Sequence, residues 1–125
     1  QSVIHYSPWQ FLFWYDRPDD VEQEPALDWF RRLPTVWDET RVIDGNPGEY
    51  VVTARRKGSK WWIGAITNGA RRVVSVPMPA AGQARAWCDG GHPRDVRAMD
   101  QPVKRGQILT LEMAGSGGCA VELTP

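Results

Sequence analysis

Asp38 and Glu39 are the first residues in this chain whose types and spacing suggest chemistry. Two carboxyl groups flanking one bond can serve as a general acid and base pair. These two, however, lie in Pro34-Thr35-Val36-Trp37-Asp38-Glu39-Thr40, which reads as extended. Adjacent side chains on an extended segment point to opposite faces, so the pair is expected to diverge rather than flank a substrate bond. Asp38 and Thr40 are expected instead to bond nearby backbone groups, as such residues do in turns. Metal chemistry has little to work with. His5 and His92 are far apart, and neither has a second His or a Cys at ligand spacing. Asp89-Gly90-Gly91-His92 reads as a turn. There is no Ser-His-Asp arrangement with a nucleophile elbow and no phosphate-cradling glycine loop. No catalytic residue and no metal ligand is assigned.

Binding chemistry is better represented, because seven tryptophans occur in the chain. An indole offers a flat apolar face and one N–H donor, which suits both packing and sugar stacking. Trp61 and Trp62 are adjacent on an expected strand, so one faces each side of the sheet. Trp87 alternates with Arg85 and Gln83 on the more polar face of its own strand. Trp62 and Trp87 are therefore the two candidate carbohydrate contacts. The competing reading, which is favoured, is that they pack against a neighbouring domain or a second subunit, where aromatic residues are also enriched. Cys88 and Cys119 both fall on the inward face of their strands. Two buried thiols are the default expectation, and a disulfide is the alternative in an oxidising compartment.

The elements that must position these residues follow from pattern. The chain has 125 residues, enough for one domain with a modest core. Fifteen basic and fifteen acidic residues give a formal net charge of +0. That balance argues against nucleic acid or an anionic membrane as a partner, since both call for a basic surface. No apolar run approaches the ~20 residues of a membrane span. Ser7-Pro8-Trp9-Gln10 reads as a capped helix start, and the Phe11-Leu12-Phe13-Trp14-Tyr15 that follows is apolar all round. Such a helix must be buried on several sides, as if the chain were cut from a longer one. A second short helix is expected from Glu24 or Pro25 to Arg32, with Arg31 and Arg32 favouring its C-terminal end and Pro34 stopping it. From Glu49 onward the period is two. Strands are expected over 49–56, 61–67, 72–76, 83–89, 95–99, 107–113 and 119–123, with turn residues between them. That spacing predicts a mainly β fold: an antiparallel two-sheet β-sandwich of Greek-key type, preceded by one or two short N-terminal helices.

Three groups of residues give this pattern a family likeness. Trp37-Asp38-Glu39-Thr40 is followed by Ala54-Arg55-Arg56-Lys57-Gly58 and Trp61-Trp62-Ile63-Gly64. Tyr6-Ser7-Pro8-Trp9-Gln10 precedes Trp14-Tyr15-Asp16-Arg17-Pro18, and Asp89-Gly90 precedes a late Gly117-Gly118. Together they resemble the C-terminal domain of family 97 glycoside hydrolases, which act as α-glucosidases or α-galactosidases, with the end of the catalytic barrel attached. The resemblance implies three parts. Residues 1–20 would be the tail of the (β/α)8 barrel, 21–47 a helical or extended connector, and 48–125 the C-terminal β-sandwich. It implies a non-catalytic accessory domain that braces the barrel and contributes oligomer contacts, with a carbohydrate-binding module as the alternative. Trp37, Asp38, Glu39, Thr40, Arg55 and Arg56 would be its structural motif. The implied partners are the catalytic barrel of the parent, a homo-oligomer and an oligosaccharide. Calcium is implied for the parent's catalytic domain, with no cofactor in this segment, and a bacterial periplasmic or extracellular location is implied as well.

Overall fold

The computed structural model describes residues 1–5, 25–90 and 95–125. One helix, α1 (Pro25–Arg32), precedes eight strands: β1 (Glu39–Asn46), β2 (Tyr50–Lys57), β3 (Lys60–Thr67), β4 (Arg72–Pro77), β5 (Gly82–Asp89), β6 (Val96–Val103), β7 (Ile108–Met113) and β8 (Gly118–Thr124). They form a six-stranded antiparallel sheet in the order β1-β2-β3-β8-β5-β6 and a two-stranded antiparallel sheet of β4 and β7. The expected two-sheet β architecture and the second helix are present. The first helix, expected over residues 7–15, lies outside the described residues.

Alternation along the strands builds the core between the sheets. Val52 and Ala54 of β2, Trp61, Ile63 and Ala65 of β3, Ala84 and Ala86 of β5, and Val121 and Leu123 of β8 meet Val74, Val76, Leu109, Leu111 and Met113 of the small sheet. The odd-numbered residues of β2 and the even-numbered residues of β3 and β8 therefore face the other way. That outer face is covered by α1 and the N-terminal residues, through Val3, Trp29, Leu33, Trp37, Trp62, Trp87 and Ala120. Gly64 makes the close approach possible: a Cβ there would stand 3.0 Å from the Cβ of Val3. The molecule thus has three layers, with the large sheet in the middle.

Three features differ from the sequence-based expectation. The extended part of the 21–47 segment is strand β1, hydrogen-bonded to β2 from Glu39↔Arg56 to Asn46↔Tyr50. It is an edge strand with most of its side chains in solvent, so no hydrophobic alternation marks it. Strand β6 continues past Met99 to Val103. Its Pro102 is compatible with an edge position, where one side of the ladder is open. Finally, Cys88 and Cys119 are joined in a disulfide rather than remaining as thiols. They are direct cross-strand partners in β5 and β8, with Cα atoms 4.2 Å apart. Their inward direction was legible in the sequence, but the adjacency of β5 and β8, which are separated by β6 and β7 in the chain, was not.

Candidate functional site

The structural-motif residues converge at one end of the large sheet. Trp37-Asp38-Glu39 leads into β1, and Arg55, Arg56 and Lys57 end β2. The Lys57–Lys60 turn that follows contains Gly58 at φ +59°, a backbone conformation that favours glycine. Asp38 closes this turn. One carboxylate oxygen accepts the Gly58 amide at 2.7 Å, and the other accepts Lys57 Nζ at 3.0 Å. The backbone group that Asp38 holds thus belongs to the neighbouring hairpin, twenty residues away, rather than to its own turn. Glu39 bridges Arg41 and Arg56, the latter through Nε at 3.0 Å. Arg41 in turn lies over the Trp61 ring, 4.8 Å from its centroid. Thr40 is exposed and pairs with Arg55 in the β1–β2 register.

Both acids are held in the ionised state by these partners. The Gly58 amide and then Lys57 hold the Asp38 carboxyl below the ordinary carboxylate range. Arg41 and then Arg56 do the same for Glu39. A general acid needs its carboxyl pushed the other way. The arrangement therefore latches β1 onto the β2–β3 hairpin.

The second constellation is the outer face of the large sheet. Trp62 and Trp87, the two candidate sugar contacts, are 3% and 4% exposed. Trp87 packs edge-on against Trp29 of α1, with centroids 5.2 Å apart, and Trp62 packs against Trp37 at 5.4 Å. The expectation that one of these rings, Trp62 or Trp87, is exposed is therefore corrected. Alternation placed them on the face away from the core, but α1 and the N-terminal residues form a third layer over that face.

Glu122 and Arg85, which the sequence reading did not single out, complete this layer together with the motif residue Arg55. Glu122 is 3% exposed. Its carboxylate takes Lys60 Nζ at 3.0 Å and lies 3.6 Å from Arg32 of α1. Arg85 donates to Asp28 of α1 at 3.3 Å, stands 3.6 Å from Asp100 of β6 and covers the Trp87 ring. Buried Arg55 donates to the Ile4 carbonyl at 3.3 Å and sits 5.8 Å from the centre of the Trp37 ring. A charged residue between two apolar ones, as in Ala84-Arg85-Ala86 and Val121-Glu122-Leu123, was the available signal. It reads as solvent-facing until a third layer is known.

The late glycine motif also finds its partner. Asp89 at the end of β5 accepts the amides of Gly118 at 2.7 Å and Ala114 at 3.1 Å, pinning the β7–β8 turn. A Cβ on Gly117 would collide with that carboxylate. Asp89-Gly90 and Gly117-Gly118, distant in sequence, are thus two halves of one joint. Among the described residues no group of three or more His, Cys, Asp or Glu is placed to hold a metal.

The described residues of the Trp37–Thr40, Ala54–Gly58, Asp89-Gly90 and Gly117-Gly118 motifs therefore tie strands and turns of the fold to one another. A family model described as "Glycosyl-hydrolase 97 C-terminal, oligomerisation" matches residues 36–124. This chain belongs to that family. It is 36% identical over 130 aligned residues to a retaining α-galactosidase of Bacteroides thetaiotaomicron, an alignment that covers 97% of this chain and 19% of the relative. Among solved structures, a family 97 glycoside hydrolase from Pseudoalteromonas sp. strain K8 superposes with a TM-score of 0.72 at 27% identity, covering 79% of this chain and 18% of that one. A β-arabinopyranosidase superposes at 0.71 with 30% identity, over 85% of this chain and 18% of that one. The chain thus spans about a fifth of the length of the enzymes it matches. The family model begins at residue 36, just before Trp37, so the family's C-terminal domain takes in the latch and β1.

Proposed function

We propose that this chain is the non-catalytic C-terminal part of a family 97 glycoside hydrolase, bracing the catalytic barrel and carrying the enzyme's self-association. The observation that carries the reading is the burial of Trp62 and Trp87 under α1 and Val3. Their ring faces are committed to packing. Large apolar residues fringe this outer layer in solvent: Phe30 at 41%, Val36 at 59%, Val42 at 70% and Val96 at 38% exposure. A rim of that kind suits contact with a further domain.

The parent enzyme would hydrolyse α-glycosidic bonds in oligosaccharides, with α-galactosides favoured by the relative's identity. The two carboxyl groups that such hydrolysis needs would lie in the barrel. Calcium, if the parent holds it, would lie there too, since Asp38, Glu39 and Asp89 of this chain are committed to backbone amides and basic side chains. The Cys88–Cys119 disulfide supports an oxidising compartment, and so a periplasmic or extracellular location.

The test is to incubate the chain with an aryl α-galactoside and to titrate it with α-linked oligosaccharides while following Trp fluorescence. The expected result is no turnover and no saturable change. Turnover by the 125 residues would overturn the non-catalytic reading. Saturable binding that Trp87→Ala abolishes while the fold persists would overturn the packing role of the outer face.

A further inference from the structure

Among the described residues the large sheet ends in two unpaired edges, β1 and β6, and they are built differently. At the β1 edge the register shifts between Val42 and Asp44, and Glu39, Arg41 and Asp44 place charges along the strand. Bulges and charges are the usual means of preventing a strand from accepting another one. At the β6 edge, eight residues run in unbroken register with β5, from Gly82↔Val103 to Asp89↔Val96. No bulge interrupts them; the strand carries two charges of opposite sign, Arg97 and Asp100, and Val96 and Met99 are 38% and 48% exposed.

Which backbone groups of β6 face outward follows from the ladder. The Gly90 amide donates to the Asp95 carbonyl at 2.7 Å, so Gly90 and Asp95 form a hydrogen-bonded pair. Such pairs recur at every second position of an antiparallel ladder. The pairs Cys88↔Arg97, Ala86↔Met99, Ala84↔Gln101 and Gly82↔Val103 are then hydrogen-bonded too. The close 4.2 Å approach of Cys88 and Cys119 agrees, because it marks a non-hydrogen-bonded pair on the β8 side and turns the Cys88 backbone groups toward β6. The N–H and C=O groups of Val96, Ala98 and Asp100 therefore point away from the sheet. So does Pro102, whose missing N–H costs the β5 ladder nothing.

We propose that this edge joins two copies of the chain, β6 pairing antiparallel with β6 about a two-fold axis at Ala98, so that two six-stranded sheets become one. The inference rests on the oligomerisation reading above and specifies its surface. A second copy is the occupant because the family model describes oligomerisation and because the strand is self-complementary. Centred on Ala98, Val96 opposes Asp100, Arg97 opposes Met99 and Ala98 opposes itself, so no like charges meet. Centred on Arg97 or Asp100, two like charges would face each other, which is destabilising. Centred on Met99, Val96 would oppose Pro102, which has no N–H to give. The Ala98 register instead allows about six inter-chain N–H···O bonds. A two-fold pairing of identical edges is closed, so it stops at two copies.

Ala98→Pro tests this directly, since it removes an outward N–H and leaves the β5 ladder intact. Mass is measured by sedimentation equilibrium, with near-ultraviolet circular dichroism as the check on folding. The wild type is expected to be a dimer, and folded Ala98→Pro a monomer whose dissociation constant is raised at least about 100-fold. A wild-type monomer at every concentration overturns the oligomerisation reading and this proposal with it. A wild-type dimer with a folded, still dimeric Ala98→Pro overturns the β6 edge alone. Should Ala98→Pro not fold, amide exchange in the wild type decides. Slow exchange at Val96, Ala98 and Asp100 that is lost on dilution supports the edge, and fast exchange at these amides in the dimer overturns it.

Discussion

The Cys88–Cys119 disulfide ties β5 to β8 in the middle of the large sheet and closes a loop with a sequence separation of 31. The loop contains β6 and β7, so opening it frees much of the C-terminal half in the unfolded chain. For a loop of that length the chain-entropy relation gives about 12 cal/mol/K, or about 3.7 kcal/mol at 25 °C. Both sulfurs are buried and would remain packed as thiols, so the loss on reduction should approach that figure. With a urea dependence of about 1.5 kcal/mol/M, reduction should lower the unfolding midpoint by about 2–3 M. The assay is urea unfolding followed by Trp fluorescence, with and without dithiothreitol, alongside the double variant Cys88→Ala/Cys119→Ala. The slope should also rise on reduction, because the reduced unfolded chain exposes more surface. A midpoint shift under about 0.5 M in both samples, corresponding to less than about 1 kcal/mol, would refute the reasoning. The bridge would then constrain nothing that the sheet does not already hold.

Trp87→Ala and Trp62→Ala should each cost about 3–5 kcal/mol in the same unfolding assay, because both rings are buried against Trp29 and Trp37; a cost under about 1 kcal/mol would mean that the third layer is not formed in solution. Asp38 and Glu39 have folded-state pKa values below their ordinary ones, so their contribution is fully present above the ordinary carboxylate range and is lost as pH falls through it, below about pH 5. Unfolding midpoints measured from pH 7 downward should therefore fall more steeply for the wild type than for Asp38→Asn/Glu39→Gln, and parallel curves would contradict the latch. Gly117→Ala should destabilise by about 2 kcal/mol by displacing a carboxylate that holds two amides, and this cost should shrink in an Asp89→Ala background; equal costs in both backgrounds would dissociate Gly117 from the joint.

Strands such as β4 and β7 were legible because their inward positions alternate strictly, as in Val74, Val76 and Leu109, Leu111, Met113, and glycine- or proline-containing turns separate most of the strands. β1 was not, because this edge strand is held mainly by backbone hydrogen bonds and, of its hydrophobic residues, turns only Ile43 to the core. The pairing of Trp37-Asp38-Glu39 with Arg55-Arg56-Lys57-Gly58 was visible as two motifs. The contact between them, Asp38 to Gly58 and Glu39 to Arg56, needed the β1–β2 register. The outer face was the hardest to read. Period two says only that Arg85, Trp87 and Glu122 point away from Ala84, Ala86 and Val121. Whether they meet water or a third layer depends on where α1 and Val3 sit, and that information is tertiary. The disulfide was hidden for a related reason, since β8 lies between β3 and β5 only through a crossover that local pattern does not encode.

The central claim is that this chain is an oligomerisation domain whose aromatic residues serve packing. The most direct test is its mass in solution, by size-exclusion chromatography with light scattering over a concentration series in oxidising buffer. The account predicts twice the 14.1 kDa of one chain at high concentration, falling toward one chain on dilution. A folded monomer at every concentration would contradict it.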